Sequence, residues 1–209
     1  MIKIIIHITK FIIATITALL FASCNFNMNS IEGSGNVTTE KRIVQGDFKN
    51  VSVSNAIDVV IEQSDKTEIT VEADDNLQKE ITTEVKNGTL IIKCKYSSFN
   101  DVTKRVTVKM PIVEKLEAST ASSINSKKVI LGEKIDLESS SASTINISTE
   151  SDSVLLSASS GSTINVEGKA LNFIFLTVKK PGGPGYDLFK QEVVLYGCIL
   201  NKYAKMLIS

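Results

Sequence analysis

The 209-residue chain has no tryptophan, one histidine, three cysteines and three prolines, and these shortages close off whole classes of chemistry. The histidine, His7, lies in a segment expected to be removed. The mature chain then has no imidazole for general base catalysis, for a serine or cysteine triad, or for zinc. Arg42 and Arg105 are the only arginines, and no Gly-rich phosphate loop or metal-spaced Cys/His set is present. Basic and acidic side chains balance at 23 each. Without Lys3 and Lys10 the acidic ones exceed the basic by two, so the chain lacks the basic footprint of a nucleic-acid binder. No cofactor and no metal are expected.

What is abundant is a single phrase, written three times as LEASTASSIN, LESSSASTIN and LSASSGSTIN. The copies begin at Leu116, Leu137 and Leu156. They bring isoleucines to Ile124, Ile145 and Ile164, in steps of 21 and 19 residues. Self-similarity at that spacing is the signature of a solenoid, whose units bury their apolar faces only by stacking. Ser, Thr and Asn at this density compete with helical hydrogen bonding, while Ile and Thr suit a pleated surface. The reading is an all-β fold: a β-helix, or β-solenoid, with coils of about 20 residues, preceded by antiparallel strands. Leu116, Leu137 and Leu156 form one internal stack and Ile124, Ile145 and Ile164 another, while Asn125, Asn146 and Asn165 form an amide ladder. A charge at Ile145 is expected to unfold the coils. One at Ser143 is expected to be tolerated if that side chain faces outward.

Residues 1–23 read as an export signal, with Lys3 and Lys10 ahead of an apolar run that ends LLFAS. The following Cys24 is a lipidation site by its resemblance to a bacterial lipobox, and acyl chains there would anchor the protein to a membrane. Residues 24–36 form a polar, flexible tether. Cys94, within LIIKCKY, is a strand residue, and its pairing with Cys198 cannot be argued from the sequence.

From Val37 onward strand follows strand: RIV, VSVS, IDVVIEQ, TEITVEA, EITTEVK, TLIIKCK and KRVTVKM, with Asn87-Gly88 as a type I′ hairpin turn. Asp74 to Leu77 interrupts them as a turn, with Asp74 or Asp75 as its cap. The string FKNVSVSNAIDVVIEQ, then TEITVEADDNLQKEITTEVKNGTLIIKCK, then the SIN and TIN coils, resembles the GIN domain, the auto-transporter adhesin head domain common in Bacteroidetes. The repeated phrase of that family is matched by NAID at Asn55 to Asp58 and by the copies ending at Asn125, Asn146 and Asn165. The resemblance implies a β-helix of pectin-lyase-like appearance over residues 37–172, an adhesive role and no preserved catalytic residues.

After Leu171 the composition changes and the phrase is lost. Residues 173–209 read either as a cap built from residues 191–200 or as a truncated or out-of-frame end, and are expected to be poorly ordered and dispensable. The functional expectation is a non-enzymatic outer-membrane lipoprotein of the cell envelope, held by its lipid and contacting a glycan or an envelope protein. The alternative is a degenerate carbohydrate-active, polysaccharide lyase-like β-helix, which requires acids such as Asp58 and Glu62 to converge in one cleft.

Overall fold

The computed structural model describes residues 9–10, 12–13, 15, 30–96, 98–100, 102–176, 194–196 and 203–208. Cys24, most of the export signal and Cys198 lie outside the described residues. The chain is all-β. Its first half holds β1 (Ser30–Glu32), β2 (Val37–Arg42), β3 (Asn50–Val53), β4 (Asp58–Gln63), β5 (Glu68–Asp74), β6 (Ile81–Lys86), β7 (Thr89–Cys94), β8 (Ser98–Asn100) and β9 (Lys104–Met110). The second half holds β10 (Lys115–Ala118), β11 (Ser123–Ser139), β12 (Thr144–Ala158), β13 (Thr163–Leu176), β14 (Val194–Tyr196) and β15 (Tyr203–Ile208). Strands β1 and β8 form a small parallel pair, and the other thirteen belong to one sheet that curls around a single core.

The sheet is built of tiers, each a strand, a two-residue corner and a second strand. In the central tiers β3 turns into β4, β10 into β11, the end of β11 into β12, and the end of β12 into β13. Pairing between them is parallel, with one shift of register in β11 between Asn125 and Val129. Leu116 stands opposite both Val51 and Leu137, Ile124 opposite both Val59 and Ile145, and Ile145 opposite Ile164. Leu116, Leu137, Leu156, Ile124, Ile145 and Ile164 are all buried. Burying such a side chain contributes about 1.5–3 kcal/mol, so the two stacks supply much of the cohesion between tiers. The phrase NAID joins this array two residues out of the expected alignment. Ser123 pairs with Asp58 and Ile124 with Val59, so Ile57 occupies the place of Ser122 and Val59 holds the isoleucine position.

Each corner places two residues at positive φ: Asn55 and Ala56, Thr120 and Ala121, Ser141 and Ala142, Ser160 and Gly161. A left-handed backbone is costly for residues with a Cβ, and hydrogen bonds between corners offset that cost. The amide of Ala56 donates to Thr120 O at 2.9 Å, that of Ala121 to Ser141 O at 2.9 Å, and that of Ala142 to Ser160 O at 3.1 Å. A serine follows each of the upper corners and points inward. The Ser143 hydroxyl donates to Ala118 O at 2.7 Å and accepts from Ser140 N at 3.0 Å, and Ser162 repeats the pattern on Ser139 O and Ser159 N. Ser143 is therefore a buried, fully used hydroxyl, and a carboxylate there would meet main-chain carbonyls.

The ends of the stack differ. Below, β7 and β9 pair in parallel with β3 and β4, and antiparallel strands then close the array: β6 on β7, β5 on β9 and β2 on β5. The β6–β7 hairpin turns at Asn87 (φ 50°) and Gly88 (φ 73°), the signs a type I′ turn demands. The first main strand is Val37–Arg42 and not Arg42–Val44: Ile43 lies beyond it and is 98% exposed. Above, β13 runs through position 173 to Leu176, pairing Val154 with Phe173 and Leu156 with Phe175. The expected boundary after residue 172 thus falls inside a strand. Residues 203–208 of the tail form β15, antiparallel on β13, with β14 beyond it. Residues 181–185, and the proposed cap 191–200 apart from β14, lie outside the described residues.

Candidate interaction surface

Alternation along β11, β12 and β13 turns Ser123, Thr144 and Thr163 to one outward row and Asn125, Asn146 and Asn165 to the next. The amides form a directed chain. Asn165 Nδ2 donates to Asn146 Oδ1 at 2.5 Å, Asn146 Nδ2 to Asn125 Oδ1 at 2.8 Å, and Asn125 Nδ2 to Ser123 Oγ at 3.3 Å. Ser123 Oγ then donates to Asp58 Oδ1 at 2.5 Å. Every donor points toward the carboxylate, so the dipoles add and each bond polarises the next. The chain terminates above at Asn165 Oδ1, which is buried and has no hydrogen-bond partner among the described residues.

Among the described residues Asp58 and Glu62 are each committed to other partners. They lie on one face of β4 four residues apart, with their backbone positions about 13 Å apart at ~3.3 Å per residue. Glu62 takes Lys127 at 3.0 Å and Lys128 at 3.7 Å, and the Lys127 hydrogen bond holds its carboxyl below the usual range. On the opposite face Lys115 bridges Glu117 at 2.7 Å and Glu138 at 2.9 Å. Burial works against the Lys115 ammonium, but those two hydrogen bonds outweigh it and hold its pKa above the ordinary lysine value. Burial pushes the neighbouring Asp136 up. These groups sit on an open strand face. Among the described residues no set of three His, Cys, Asp or Glu side chains is placed to hold a metal.

The Asp74 turn is likewise committed to structure. Asp74 is buried and accepts the amides of Gly35 at 2.8 Å and Thr103 at 2.7 Å, while Asp75 accepts from Ser34 Oγ and Asn36 Nδ2. The two carboxylates clasp residues 34–36, the last three of the segment read from the sequence as a flexible tether. An open cavity of about 550 Å³ lies at the other edge, lined by Ile43, Phe48, Ile69, Pro111 and Ile112 among others. Glu68 there is already bridged by Lys41 and Lys109, and Arg42 donates to Gln78 O and Oε1.

Lys104, which the sequence gives no reason to single out, completes the corner stack. Below Asn55 the connection 95–103 replaces the two-residue corner, and the Lys104 ammonium donates to Asn55 O at 3.1 Å, where a corner amide would otherwise point. Burial lowers its pKa to about 8, against the opposing pull of Cys94 and Asp58. The unfolded chain therefore binds this proton more tightly than the folded one. The cost is fully present below pH 8 and disappears as pH rises from about 8 toward 10.5. Wild type should gain stability relative to Lys104→Met between pH 7.5 and pH 10, measured by urea unfolding. A constant difference across that window would refute this placement.

The repeat residues named from the sequence come together in two buried stacks and one outward ladder, while Cys24 lies outside the described residues. The inward serines were missed, although their signal was present: Ser122, Ser143 and Ser162 recur at one place in every copy.

Residues 47–184 match the family described as "Putative auto-transporter adhesin, head GIN domain". Among solved structures, a "putative adhesin" from Bacteroides fragilis is similar with a TM-score of 0.62 and 18% identity, covering 67% of this chain and 66% of that one. A "putative lipid binding protein" from Parabacteroides distasonis follows with a TM-score of 0.59 and 18% identity over 71% and 63%. A "putative adhesin" from Parabacteroides merdae has a TM-score of 0.54 and 19% identity over 68% and 69%. The chain thus spans slightly under two thirds of the length of the first two, and at these identities the likeness is one of fold. No curated protein matches. With the family match covering most of the tiers and both of their stacks, the chain belongs to the GIN family of auto-transporter adhesin head domains.

Proposed function

We propose that this chain is a non-enzymatic adhesin of the cell envelope: a β-solenoid with coils of about 20 residues, held to the outer membrane through a lipid on Cys24. Its outward Ser, Thr and Asn rows make many weak polar contacts with a glycan or an envelope protein. The observation that carries the reading is the in-register repetition of Ser123, Thr144 and Thr163 beside the Asn125–Asn146–Asn165 ladder. Hydroxyls repeated at one register position present a repeating ligand with a similar contact several times, and linked weak contacts multiply in avidity. Among residues with described side chains the aromatics are Phe48 and Tyr96, and neither lies in these rows. Recognition by ring stacking therefore has no support there, and hydroxyl and amide hydrogen bonding is the chemistry on offer.

The adhesive reading is tested with the intact chain on arrays of envelope polysaccharides and purified envelope proteins, against the triple variant Ser123→Ala, Thr144→Ala, Thr163→Ala. Removing three outward hydroxyls leaves the buried stacks in place and should weaken binding at least tenfold if each contributes about 0.5–1.5 kcal/mol. Equal binding by both proteins would place the contact elsewhere. Anchoring is tested separately by fractionation: Cys24→Ser should move the processed protein from the membrane to the soluble fraction. A variant that stays wholly with the membrane after signal cleavage would rule out the lipid anchor.

A further inference from the structure

The topmost tier keeps the bonding capacity of an interior one. Each lower asparagine carbonyl receives an amide from the tier above it, but Asn165 Oδ1 is buried without a partner among the described residues. Each lower corner also sends its second amide up to the next corner: Ala56 to Thr120, Ala121 to Ser141 and Ala142 to Ser160. Gly161 occupies the same position at φ 69°, and among the described residues its amide has no acceptor. The strand that covers this tier, β15, departs from the parallel pairing of the central tiers. It is antiparallel, it spans only Ile164 to Lys169 of β13, and it sets Leu207 opposite Asn165.

We infer that the upper edge of β13 is a docking site for an extended strand of a second polypeptide carrying the Ser/Thr-Ile-Asn phrase, which adds in parallel and displaces β15. The occupant follows from the bonds left open. Its asparagine amide reaches Asn165 Oδ1, its corner carbonyl accepts the Gly161 amide, and its isoleucine takes the place opposite Ile164 that Ile208 of β15 holds. Main-chain pairing supplies affinity and the side-chain register supplies specificity, as in other strand additions to a sheet edge. The opposite end is not built for this. There β2 and β6 present Glu40, Lys41, Glu84 and Lys86 along their strands, and charges of this kind discourage edge pairing.

The inference rests on the reading of the tiers as repeating coils and not on adhesion, so failure of the glycan arrays leaves it untouched. The probe is a labelled synthetic peptide with the sequence of residues 137–150, LESSSASTINISTE, titrated by fluorescence anisotropy into the full chain and into a variant lacking residues 203–209. The peptide should bind the shortened variant more tightly than the full chain, because β15 no longer competes. The same peptide with Asn146→Leu should bind about tenfold more weakly, the ratio that one satisfied buried acceptor is worth. Should the shortened variant fail to fold, hydrogen exchange on the full chain decides. Saturating peptide should remove protection from amides 203–208 while those of β12 stay protected. Unchanged protection of β15, no saturable binding to a folded shortened variant, or equal affinity for the Asn and Leu peptides would each overturn the proposal.

Discussion

Gly168→Ala should abolish the folded upper tiers, with a loss of at least about 4 kcal/mol, the range reserved for gross steric failure. A Cβ built on Gly168 would lie 1.8 Å from the Thr149 carbonyl oxygen and 2.8 Å from its carbon. Both are backbone atoms of the neighbouring strand and cannot rotate away. Thr149 is itself fixed: it is buried, pairs with Ile130 on one side and Gly168 on the other, and donates its hydroxyl to Ile130 O at 2.8 Å. Gly168 also adopts φ +134°, a conformation that residues with a Cβ rarely take. The control is Gly161→Ala. That site has φ +69° and no neighbouring atom within 4 Å, and the corners beneath it carry alanine, so its cost should be about 1–2 kcal/mol, that of a left-handed backbone alone. Chemical denaturation of the two variants should separate them widely. Similar midpoints would mean that Thr149 and Gly168 are not in the close register described.

The contrast between these glycines explains which features were legible in the sequence. Gly161 belongs to a phrase written three times, so its corner could be read by comparison with Ala121 and Ala142. Gly168 stands once, after the phrase, and its constraint comes from a carbonyl nineteen residues earlier, which no local pattern records. The same logic covers the misread strand. VTTEKR lacks alternating apolar residues because β2 pairs on one side only and packs little of its surface. Ile43, read within the strand RIV, lies beyond β2 and is almost wholly exposed. NAID resembled SIN in letters, but pairing put its isoleucine two places early, at a position where the upper tiers use serine. Lys104 acts through a carbonyl 49 residues away, and only the folded corner stack reveals what its ammonium replaces. Repetition is readable because each copy annotates the others, whereas single long-range contacts are written nowhere but in three dimensions.

The second large effect lies at the middle of the isoleucine stack. Ile145 is fully buried, with Ile124 and Ile164 directly opposite on its two neighbours. An aspartate there would have apolar side chains on both sides and no donor within the stack. Burying an uncompensated carboxylate costs several kcal/mol even after relaxation, comparable with the 5–15 kcal/mol that holds a whole domain together. Ile145→Asp should therefore lower the denaturation midpoint at pH 7 far below that of wild type. Thr144→Asp, one residue earlier and facing out between Ser123 and Thr163, should change stability by about 0.5 kcal/mol or less, as surface substitutions do. Ser143→Asp separates inward from outward at the corner. Its hydroxyl donates to Ala118 O, and a carboxylate facing that carbonyl should destabilise nearly as much as Ile145→Asp. The expected order of denaturation midpoints is thus Thr144→Asp close to wild type, with Ser143→Asp and Ile145→Asp both far below. A tolerated Ser143→Asp beside a ruinous Ile145→Asp would leave the isoleucine stack intact and overturn the inward corner serines. Equal midpoints for Ile145→Asp and Thr144→Asp would overturn the register of the tiers itself, since a slip of one residue exchanges the two faces of a strand.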